Sequence, residues 1–582
     1  MSNSANIDNM SLQARSSNRS PFYPKGRQTE PQALEEVRSL LNERPRRRDL
    51  LIEHLHLIQD HYKKLSAAHL VALADEMQLS QSEVYEVATF YHHFDVLKEN
   101  EDAPAQLTVR VCDGIACEMR GAKAFFAGLA AYFWQNRLKL FAGLAETYGR
   151  GNDVRVVHAP CVGACDKAPV AVVGQRQVYG ADEAVITAAV DANETEPDVP
   201  NYKDFNAYVA SGGYVVWKDC LAGNRQRTDV IAQIDASGLR GLGGAGFPTA
   251  RKWSFLENAP KPRLVAVNAD EGEPGTFKDR HCFETNPHRV LEGTLIAAWA
   301  IEADAVYIYL RDEYPAIRDL LITEVARLKQ KNLTDGIDLH LRRGAGAYIC
   351  GEESAMLESI EGKRGLPRNR PPFPAQSGLF GHPTLINNVE TMYWVPQIVE
   401  QGPKWYETQG HPHFFSVSGR VKQPGVKLAS AGTTVKQLIE EHCGGMLEGH
   451  DFRAYLPGGA SGGILPADKG DEPLDFGSLD EFGCFIGSSA VVIFSGADNI
   501  REICKNLIGF FEYESCGQCT PCRVGCEKIL KLIDAPNWNE SLIRELSDTM
   551  RDASICGLGQ AAPNPVLSAL RFFANEVSGD AQ

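Results

Sequence analysis

The pattern of apolar and polar positions begins with a helical region. Across residues 33–100 apolar side chains recur three and four positions apart, as in Leu51, Leu55 and Ile58. This spacing predicts a small helical subdomain. The residues before it, 1–32, are polar and show no periodicity, so we expect a disordered or extended arm there.

Short runs of alternating apolar residues follow, which indicate strands. Together with an intervening helix they predict a small thioredoxin-like α/β domain over residues 104–190. A tandem echo in its helical part, Phe126-Ala-Gly-Leu-Ala-Ala and Phe141-Ala-Gly-Leu-Ala-Glu, predicts a duplicated surface helix or loop without chemistry of its own. The strand candidates are 107–111, 154–157, 171–173 and 177–179.

The rest of the chain predicts an α/β multidomain protein with three further domains after a linker. Strand candidates at 264–268 and 305–310 alternate with amphipathic helices, as in a Rossmann-like domain. A glycine-rich β region then predicts a β-grasp-like (SLBB) domain, and a helical bundle ends the chain. The expected bounds are 191–230 for the linker, 231–405 for the α/β domain, 410–495 for the β-grasp-like domain and 499–582 for the helical bundle.

Composition narrows the class of protein. The chain has 582 residues and a net charge of −16, which argues against nucleic acid or an anionic membrane as a partner. It has no apolar run of the roughly 18 residues that a membrane helix needs, and its first thirty residues do not resemble a secretory signal. We therefore expect a cytoplasmic protein, whose 15 cysteines are reduced thiols rather than disulfides.

The first cysteine group is Cys112, Cys117, Cys161 and Cys165. Each pair follows a short strand, so four thiolates could converge. Four sulfur ligands suit a [2Fe–2S] cluster or a structural zinc ion, and spacing alone does not separate the two. The small residues between Cys161 and Cys165 would let backbone N–H groups approach cluster sulfurs, which favours [2Fe–2S].

The second cysteine group has the spacing of a [4Fe–4S] site. Three cysteines are separated by two residues each, and a fourth lies further along the chain. Cys526 lies one helical turn beyond the run and is predicted to be a buried neighbour. Six scattered cysteines are predicted to be small buried apolar residues. The predicted ligands are Cys516, Cys519, Cys522 and Cys556, and the scattered cysteines are Cys220, Cys282, Cys350, Cys443, Cys484 and Cys504.

Three segments between the cysteine groups combine glycines with acidic residues. Residues 238–247 form a glycine-rich loop before a helix, where N–H groups could bind an anion. Residues 268–279 follow a strand, at the end where α/β folds bind ligands. Residues 344–354 open a helix with acidic residues. Helix capping would explain any one segment, but not three in one domain.

With these residues in view, the chain resembles the NADH-binding diaphorase family over nearly everything after residue 33. That family includes the flavoprotein subunit of respiratory Complex I and the equivalent subunits of NAD-reducing hydrogenases and NAD-dependent formate dehydrogenases. The first cysteine domain is similar to the thioredoxin-like [2Fe–2S] protein that is a separate subunit in much of the family and is joined here to the flavoprotein. Three segments resemble most closely the β (diaphorase) subunit of molybdenum- or tungsten-containing formate dehydrogenases. They are 48–60, 345–354 and 514–522.

The resemblance implies FMN, NAD(H), one [2Fe–2S] and one [4Fe–4S] cluster as cofactors. Leu242 replaces an arginine found in many relatives, and Ala250 replaces a glycine. The implied FMN residues are Gly241, Gly243, Lys252, Asn268, Asp270, Gly351, Glu352, Asn387 and Asn388. The implied nicotinamide-nucleotide residues are Phe247, Phe255, Glu273, Glu353 and Phe373, and the candidate cofactor-binding set also includes Glu271 and Tyr348.

The resemblance also implies an NAD-dependent oxidoreductase subunit that needs no catalytic side chain. Glu273 and Glu353 would position the nicotinamide. Nothing in the sequence resembles a pterin–metal site, so formate would be oxidised on a partner, a molybdenum- or tungsten-pterin α subunit with further iron–sulfur clusters. One alternative is the diaphorase subunit of an NAD-reducing hydrogenase or a Complex I-like enzyme. Another is a zinc-stabilised scaffold with vestigial nucleotide clefts.

Overall fold

The computed structural model describes residues 26–98, 101–134, 147–149, 154–334 and 336–577. Most of the predicted N-terminal arm and the second copy of the Phe-Ala-Gly-Leu-Ala repeat lie outside the described residues. The described part is a mixture of helices and three sheets, as the sequence predicts.

The N-terminal region is helical. Ser80 caps its last helix through a capping box, in which the hydroxyl oxygen accepts from the backbone of Glu83 and the Glu83 carboxylate accepts from the backbone of Ser80. Apolar residues at helical spacing, such as Leu55 and Ile58, are fully buried. The helices are Pro31–Leu41, Leu51–Tyr62, Ala67–Met77 and Gln81–Phe90, with a 3₁₀ turn at Arg48–Leu50.

The next domain is a five-stranded sheet with thioredoxin-like order. The strand Leu107–Cys112 lies at its centre, paired in parallel with Val154–Ala159 and antiparallel with Val170–Val173. Both cysteine pairs begin at the ends of the two parallel strands. The outer strands are Thr147–Gly149 and Arg176–Tyr179, and the helices are Ile115–Met119, Ala122–Trp134 and Glu183–Asp191.

Four parallel strands form the central sheet of the largest domain. Their spatial order is Asp338–Arg343, Ala305–Leu310, Leu264–Ala269 and Thr384–Asn388. The first three follow each other in reverse chain order and the fourth lies on the other side, so the direction of winding changes between the last two strands. Open α/β sheets bind ligands at the carboxyl ends of the strands at such a change.

Both faces of this sheet are covered. Val306 and Ile308 are fully buried on one face, and their neighbours Tyr307 and Tyr309 pack on the other face against the N-terminal helical region. Burying one such aliphatic side chain contributes about 1.5–3 kcal/mol. The flanking helices are Phe205–Ala210, Val215–Leu221, Arg227–Ala236, Thr249–Ser254, Lys278–Thr285, Pro287–Ala300, Pro315–Gln330, Glu353–Ile360, Val389–Gln401 and Pro403–Thr408.

The predicted linker, residues 191–230, is too long. Helices Phe205–Ala210 and Val215–Leu221 lie inside it, and a third begins at Arg227. Trp217 from this segment is fully buried and donates its indole N–H to the Leu333 carbonyl at 2.8 Å. The segment is therefore part of the α/β domain from Phe205 onward.

The last two regions are a mixed sheet and a helical bundle. The sheet has the order Gly425–Ala429, His413–Gly419, Ala490–Ser495, Phe452–Leu456 and Leu465–Pro466. The bundle consists of Ile500–Tyr513, Thr520–Asp534, Glu540–Ala553, Gly557–Ala561, Asn564–Phe572 and Ala574–Val577. Among all the helices described, none has both the length and the apolar character that crossing a membrane requires.

Candidate functional site

The change of winding in the parallel sheet brings the predicted flavin residues together. Asn268 and Asp270 lie at the end of one strand, and Asn387 and Asn388 lie at the end of the strand beside it. The Asn268 amide donates to the Gly351 carbonyl at 2.8 Å, which joins a third predicted flavin segment to the same point. The residues that the sequence predicts for the flavin therefore lie close together at these strand ends.

The glycine-rich loop lies over the same strand ends. The Gly241 N–H donates to the Phe247 carbonyl at 2.8 Å, which closes the loop on itself. A Cβ atom on Gly243 would lie 3.0 Å from the Asn388 Cβ, so a larger residue would require Asn388 to shift. Leu242 is buried in the core and contributes no charge to the site.

The residues present fit a flavin. One carboxylate oxygen of Asp270, Oδ2, is buried without a hydrogen-bond partner among the residues that the structure describes. Burial is the main reason that the pKa of Asp270 is raised well above its usual value. A buried polar atom without a partner is unfavourable unless a ligand supplies one. The ring nitrogens and ribityl hydroxyls of FMN are groups that could do so, beside a loop that can approach a planar ring.

Two predicted cofactor residues have their carboxylates occupied by protein donors. Glu271 accepts from the backbone N–H groups of Asp279 and Arg280, at 2.8 and 3.0 Å, and from the Tyr314 hydroxyl at 2.9 Å. Glu352 caps the helix Glu353–Ile360 by accepting from its first N–H groups. The structure thus places Glu271 as a support for the fold, and Glu352 as a helix cap at the edge of the site.

The predicted nucleotide residues form a more open surface. Phe255 and Phe373 are each 52% exposed, which is unusual for large aromatic side chains and leaves ring faces available for an adenine. The rings of Phe247 and Phe255 lie 6.2 Å apart. Glu353 accepts from the Arg370 guanidinium at 2.8 Å, and its other oxygen lies 4.0 Å from the Lys252 ammonium.

Glu273 connects the α/β domain to the β-grasp-like domain. Its Oε1 accepts from the backbone N–H of Ser461 at 2.8 Å and from the Ser461 hydroxyl at 2.5 Å. Burial raises the pKa of Glu273. Sequence reasoning missed Ser461, which lies in a glycine-rich stretch that we interpreted only as part of the β-grasp-like domain.

The second cysteine group lines one cavity. Cys516, Cys519, Cys522 and Cys556 lie around one small space, together with Ile349 and other residues. Four thiols around one space match the ligand number of a [4Fe–4S] cluster. Cys526 is fully buried and does not line the cavity, in agreement with its prediction as a neighbour.

The segment Tyr348–Gly351 joins the flavin residues to this cavity. The Tyr348 N–H donates to Glu514 Oε2 at 2.9 Å, two residues before the first cluster cysteine. Ile349 lines the cavity, and the Gly351 carbonyl accepts from Asn268. Glu514, a second residue missed from the sequence, has its pKa raised to about 8 by burial. A single four-residue segment therefore contacts both sites.

The first cysteine group also converges. Cys161 Sγ and Cys165 Sγ lie 3.3 Å apart, and all four thiols are buried. The pKa of the Cys112 thiol is raised well above its usual value by its hydrogen-bonded contacts with Cys117 and Cys161. The four sulfur atoms thus form one continuous group, as a [2Fe–2S] cluster or a zinc ion requires.

Two buried arginines dock this cysteine group on the α/β domain. Arg280 donates to the Gly163 carbonyl at 2.9 Å and to Asp166 at 2.8 Å. Arg311 donates to the Cys161 carbonyl at 2.7 Å. The same Arg311 also donates to the Glu271 carbonyl, so the cysteine loop and the flavin segment share one anchoring side chain.

The six scattered cysteines are all buried, in agreement with their prediction as small core residues.

The chain is similar to known protein families. Models of four families match it, and their descriptions correspond to the domains seen here. They are the thioredoxin-like [2Fe–2S] ferredoxin at residues 37–194, the Nuo51 FMN-binding domain at 234–397, the SLBB domain at 414–465 and the NADH-ubiquinone oxidoreductase-F iron–sulfur binding region at 502–579.

These matches decide between iron and zinc at both cysteine groups. The match to the [2Fe–2S] ferredoxin begins at residue 37, within the first helix, and so includes most of the N-terminal helical region. The chain therefore carries an FMN-binding domain, a [2Fe–2S] domain and a [4Fe–4S] region. Fold and site together define an oxidoreductase of the NADH dehydrogenase, or diaphorase, class.

Individual proteins and a solved structure are also similar to this chain. The F 2 subunit of the NADH-quinone oxidoreductase of Rhizobium meliloti (strain 1021) is 40% identical over 406 residues, which cover 65% of this chain and 94% of that protein. The F subunit of the same enzyme from Aquifex aeolicus (strain VF5) is 40% identical over 396 residues, covering 65% and 91%. A chain of an NAD⁺-reducing [NiFe]-hydrogenase in the H₂-reduced state aligns with a TM-score of 0.79 and 30% identity, over 92% of this chain and 93% of that one. The chain belongs to the family of NADH-quinone oxidoreductase F subunits.

Proposed function

We propose that this chain is the electron-output subunit of an NAD-dependent formate dehydrogenase. It would receive electrons from a molybdenum- or tungsten-pterin α subunit through iron–sulfur clusters and reduce NAD⁺ to NADH at FMN, in a reversible reaction. Different observations support the exchange of electrons between nicotinamide and clusters, which is the first part, and the identity of the partner subunit, which is the second part.

The contacts of the segment Tyr348–Gly351 support the exchange of electrons between nicotinamide and clusters. The backbone of this segment forms hydrogen bonds with Asn268 on the flavin side and with Glu514 on the cluster side, and Ile349 lines the cluster cavity. A rigid segment with these contacts holds the two sites adjacent, as electron transfer between them requires. When bound, FMN supplies chemistry that exchanges electron pairs with nicotinamide and single electrons with clusters.

The residues of the chain then have binding and positioning tasks. Glu273, held by Ser461, and Glu353, held by Arg370, would fix the nicotinamide nucleotide from two sides. The exposed rings of Phe255 and Phe373 would contact its adenine. No side chain of the site would be required as an acid or base, so Glu273 and Glu353 would act by binding and orienting the nucleotide.

Resemblance of three sequence segments supports the second part. Residues 48–60, 345–354 and 514–522 resemble most closely the diaphorase subunit of formate dehydrogenases. The chain contains no segment resembling a pterin–metal site, so a formate-oxidising centre would lie on another subunit.

A second candidate is the diaphorase subunit of an NAD-reducing hydrogenase. The alignment with an NAD⁺-reducing [NiFe]-hydrogenase chain over 92% of this chain supports it. That similarity extends over the fused [2Fe–2S] domain as well as the flavin domain, and so it concerns the whole architecture.

Metal analysis of the native complex separates these candidates. The affinity-tagged chain would be purified anaerobically with its partners, and molybdenum, tungsten and nickel would be counted alongside formate-dependent and hydrogen-dependent NAD⁺ reduction. We expect molybdenum or tungsten in the complex and activity with formate. Nickel without either metal, and activity with hydrogen alone, would contradict the formate dehydrogenase assignment.

A further inference from the structure

Three potential metal ligands meet at the seam between the N-terminal helices and the α/β domain. His56 and Asp60 lie one turn apart on the helix Leu51–Tyr62, and His93 follows the helix Gln81–Phe90. One ligand atom from each lies within 4.8 Å of the others. None of the three belongs to the flavin or cluster sites described above.

The hydrogen bonds of the two histidines leave one lone pair free on each ring. His56 Nε2 lies 2.8 Å from the Gly344 carbonyl, and His93 Nδ1 lies 2.6 Å from the Asp312 carboxylate. Both partners can only accept, so these nitrogens carry the protons. Within the described part of the chain, the opposite nitrogens, His56 Nδ1 and His93 Nε2, are buried without hydrogen-bond partners, and His56 is only 2% exposed.

This arrangement is typical of histidines that bind metals. A metal-binding imidazole usually donates its other N–H to a carbonyl or carboxylate, which fixes the tautomer and directs the lone pair at the ion. A buried nitrogen lone pair with no partner is costly. We propose that His56, His93 and Asp60 bind a divalent transition-metal ion, zinc in the first instance, with water completing the coordination.

The surrounding charges are compatible with a cation. Arg343 donates to Asp60 at 2.6 Å and also contacts Asp312, so it faces the cluster and balances two carboxylates. Each of these carboxylates has a second oxygen. Asp60 can therefore bind a divalent ion and Arg343 at the same time. Bonds of about 2.0–2.1 Å to one ion require the partly exposed Asp60 and His93 side chains to close on the buried His56.

The ion would fasten the loop that leads to the flavin site. The Gly344 carbonyl is held by His56, and the Ala345 carbonyl accepts from the His93 backbone N–H at 3.1 Å. A few residues later the chain enters Tyr348–Gly351. The site therefore ties the N-terminal helices to the segment on which both redox centres depend, and it is independent of the identity of the partner subunit.

Zinc retention in the holoprotein tests the proposal. Anaerobically purified wild-type chain would be dialysed against Zn²⁺, then against metal-free buffer, and its zinc measured by mass spectrometry. We expect about one zinc per chain in the wild type and in the control His61→Ala, which removes an exposed histidine from the same helix. His93→Gln should retain at least tenfold less zinc, with FMN and iron unchanged.

X-ray absorption at the zinc edge supplies a result that does not depend on the variants. Zinc at this site gives nitrogen and oxygen ligands at about 2.0–2.1 Å, whereas zinc at the cluster cysteines gives sulfur at about 2.3 Å. No retained zinc in the wild type, equal zinc in His93→Gln and His61→Ala, or a sulfur-containing shell would each overturn the proposal. If His93→Gln lost its FMN through misfolding, the wild-type spectrum would decide alone.

Discussion

At the scale of single residues, the acidic side chains near the flavin site have different tasks. Glu271 is held by three protein donors and supports a helix, while Glu273 is held by Ser461 beside the predicted nucleotide surface. The sequence places both in the same segment after the same strand. It does not distinguish them, because donors such as Tyr314 and Ser461 come from residues distant in the chain.

Glu273→Gln tests whether this side chain positions the nucleotide or transfers a proton. A glutamine keeps an oxygen for Ser461 but removes the charge. We expect the KM for NADH to rise about tenfold, which corresponds to about 1.4 kcal/mol, and the rate of flavin reduction at saturating NADH to stay within about twofold. Stopped-flow flavin absorbance measures both, with the exposed Glu257→Gln as control. Normal binding with no flavin reduction would show that Glu273 takes part in the chemistry.

His413 gives a prediction about pH. It is 2% exposed, and its pKa is lowered to about 4, first by burial and then by the nearby Lys278 ammonium. In the unfolded chain the pKa is about 6.5. Because the folded value is the lower one, the contribution to stability is complete above pH 6.5 and is lost as the pH falls towards 4.

His413→Leu removes this titration. Between pH 8 and pH 5.5 the wild type should lose about 1.5 kcal/mol more stability than the variant. The difference between their apparent melting temperatures would be followed over this range by differential scanning fluorimetry, with the exposed His61→Leu as control. A difference that does not change with pH would show that His413 does not titrate as inferred.

At the scale of elements, the cysteine spacing identified two groups of four ligand candidates, and the structure brings each group together. The spacing could not show what docks the loops. Arg280 and Arg311 hold the first group against the α/β domain, and they come from positions more than 100 residues away in the chain. The linker prediction failed for a related reason, since the hydrogen bond of the buried Trp217 indole goes to the Leu333 carbonyl, which is also more than 100 residues away in the chain.

Cys556→Ser and Cys526→Ser form a matched pair for the second cluster. Cys556 lines the cavity and Cys526 does not, although both are buried. We expect Cys556→Ser to reduce iron from about six to about two per chain while FMN and the [2Fe–2S] signal remain. Cys526→Ser should keep all of the iron. Iron analysis with EPR after NADH reduction measures this, and loss of the cluster in Cys526→Ser would mean that the fourth ligand is misassigned.

At the scale of the whole molecule, separate domains converge on one segment, Tyr348–Gly351. The order of domains could be predicted from local patterns and motifs, and their cofactors from the resemblance to a known family. Their mutual arrangement could not, because contacts such as Glu514 with Tyr348 and Ser461 with Glu273 join separate domains. The identity of the partner subunit could not be predicted from such motifs either, since we recognise no motif for the surface that contacts it.

The central claim is that one polypeptide carries a two-electron site and one-electron sites joined through a flavin. Mixing the isolated holoprotein with NADH under anaerobic conditions, without any partner subunit, tests it directly in a stopped-flow spectrophotometer. We expect the flavin absorbance to bleach and the iron–sulfur absorbance to fall with it. An unchanged spectrum with NADH, in protein whose colour is bleached by a chemical reductant, would contradict it.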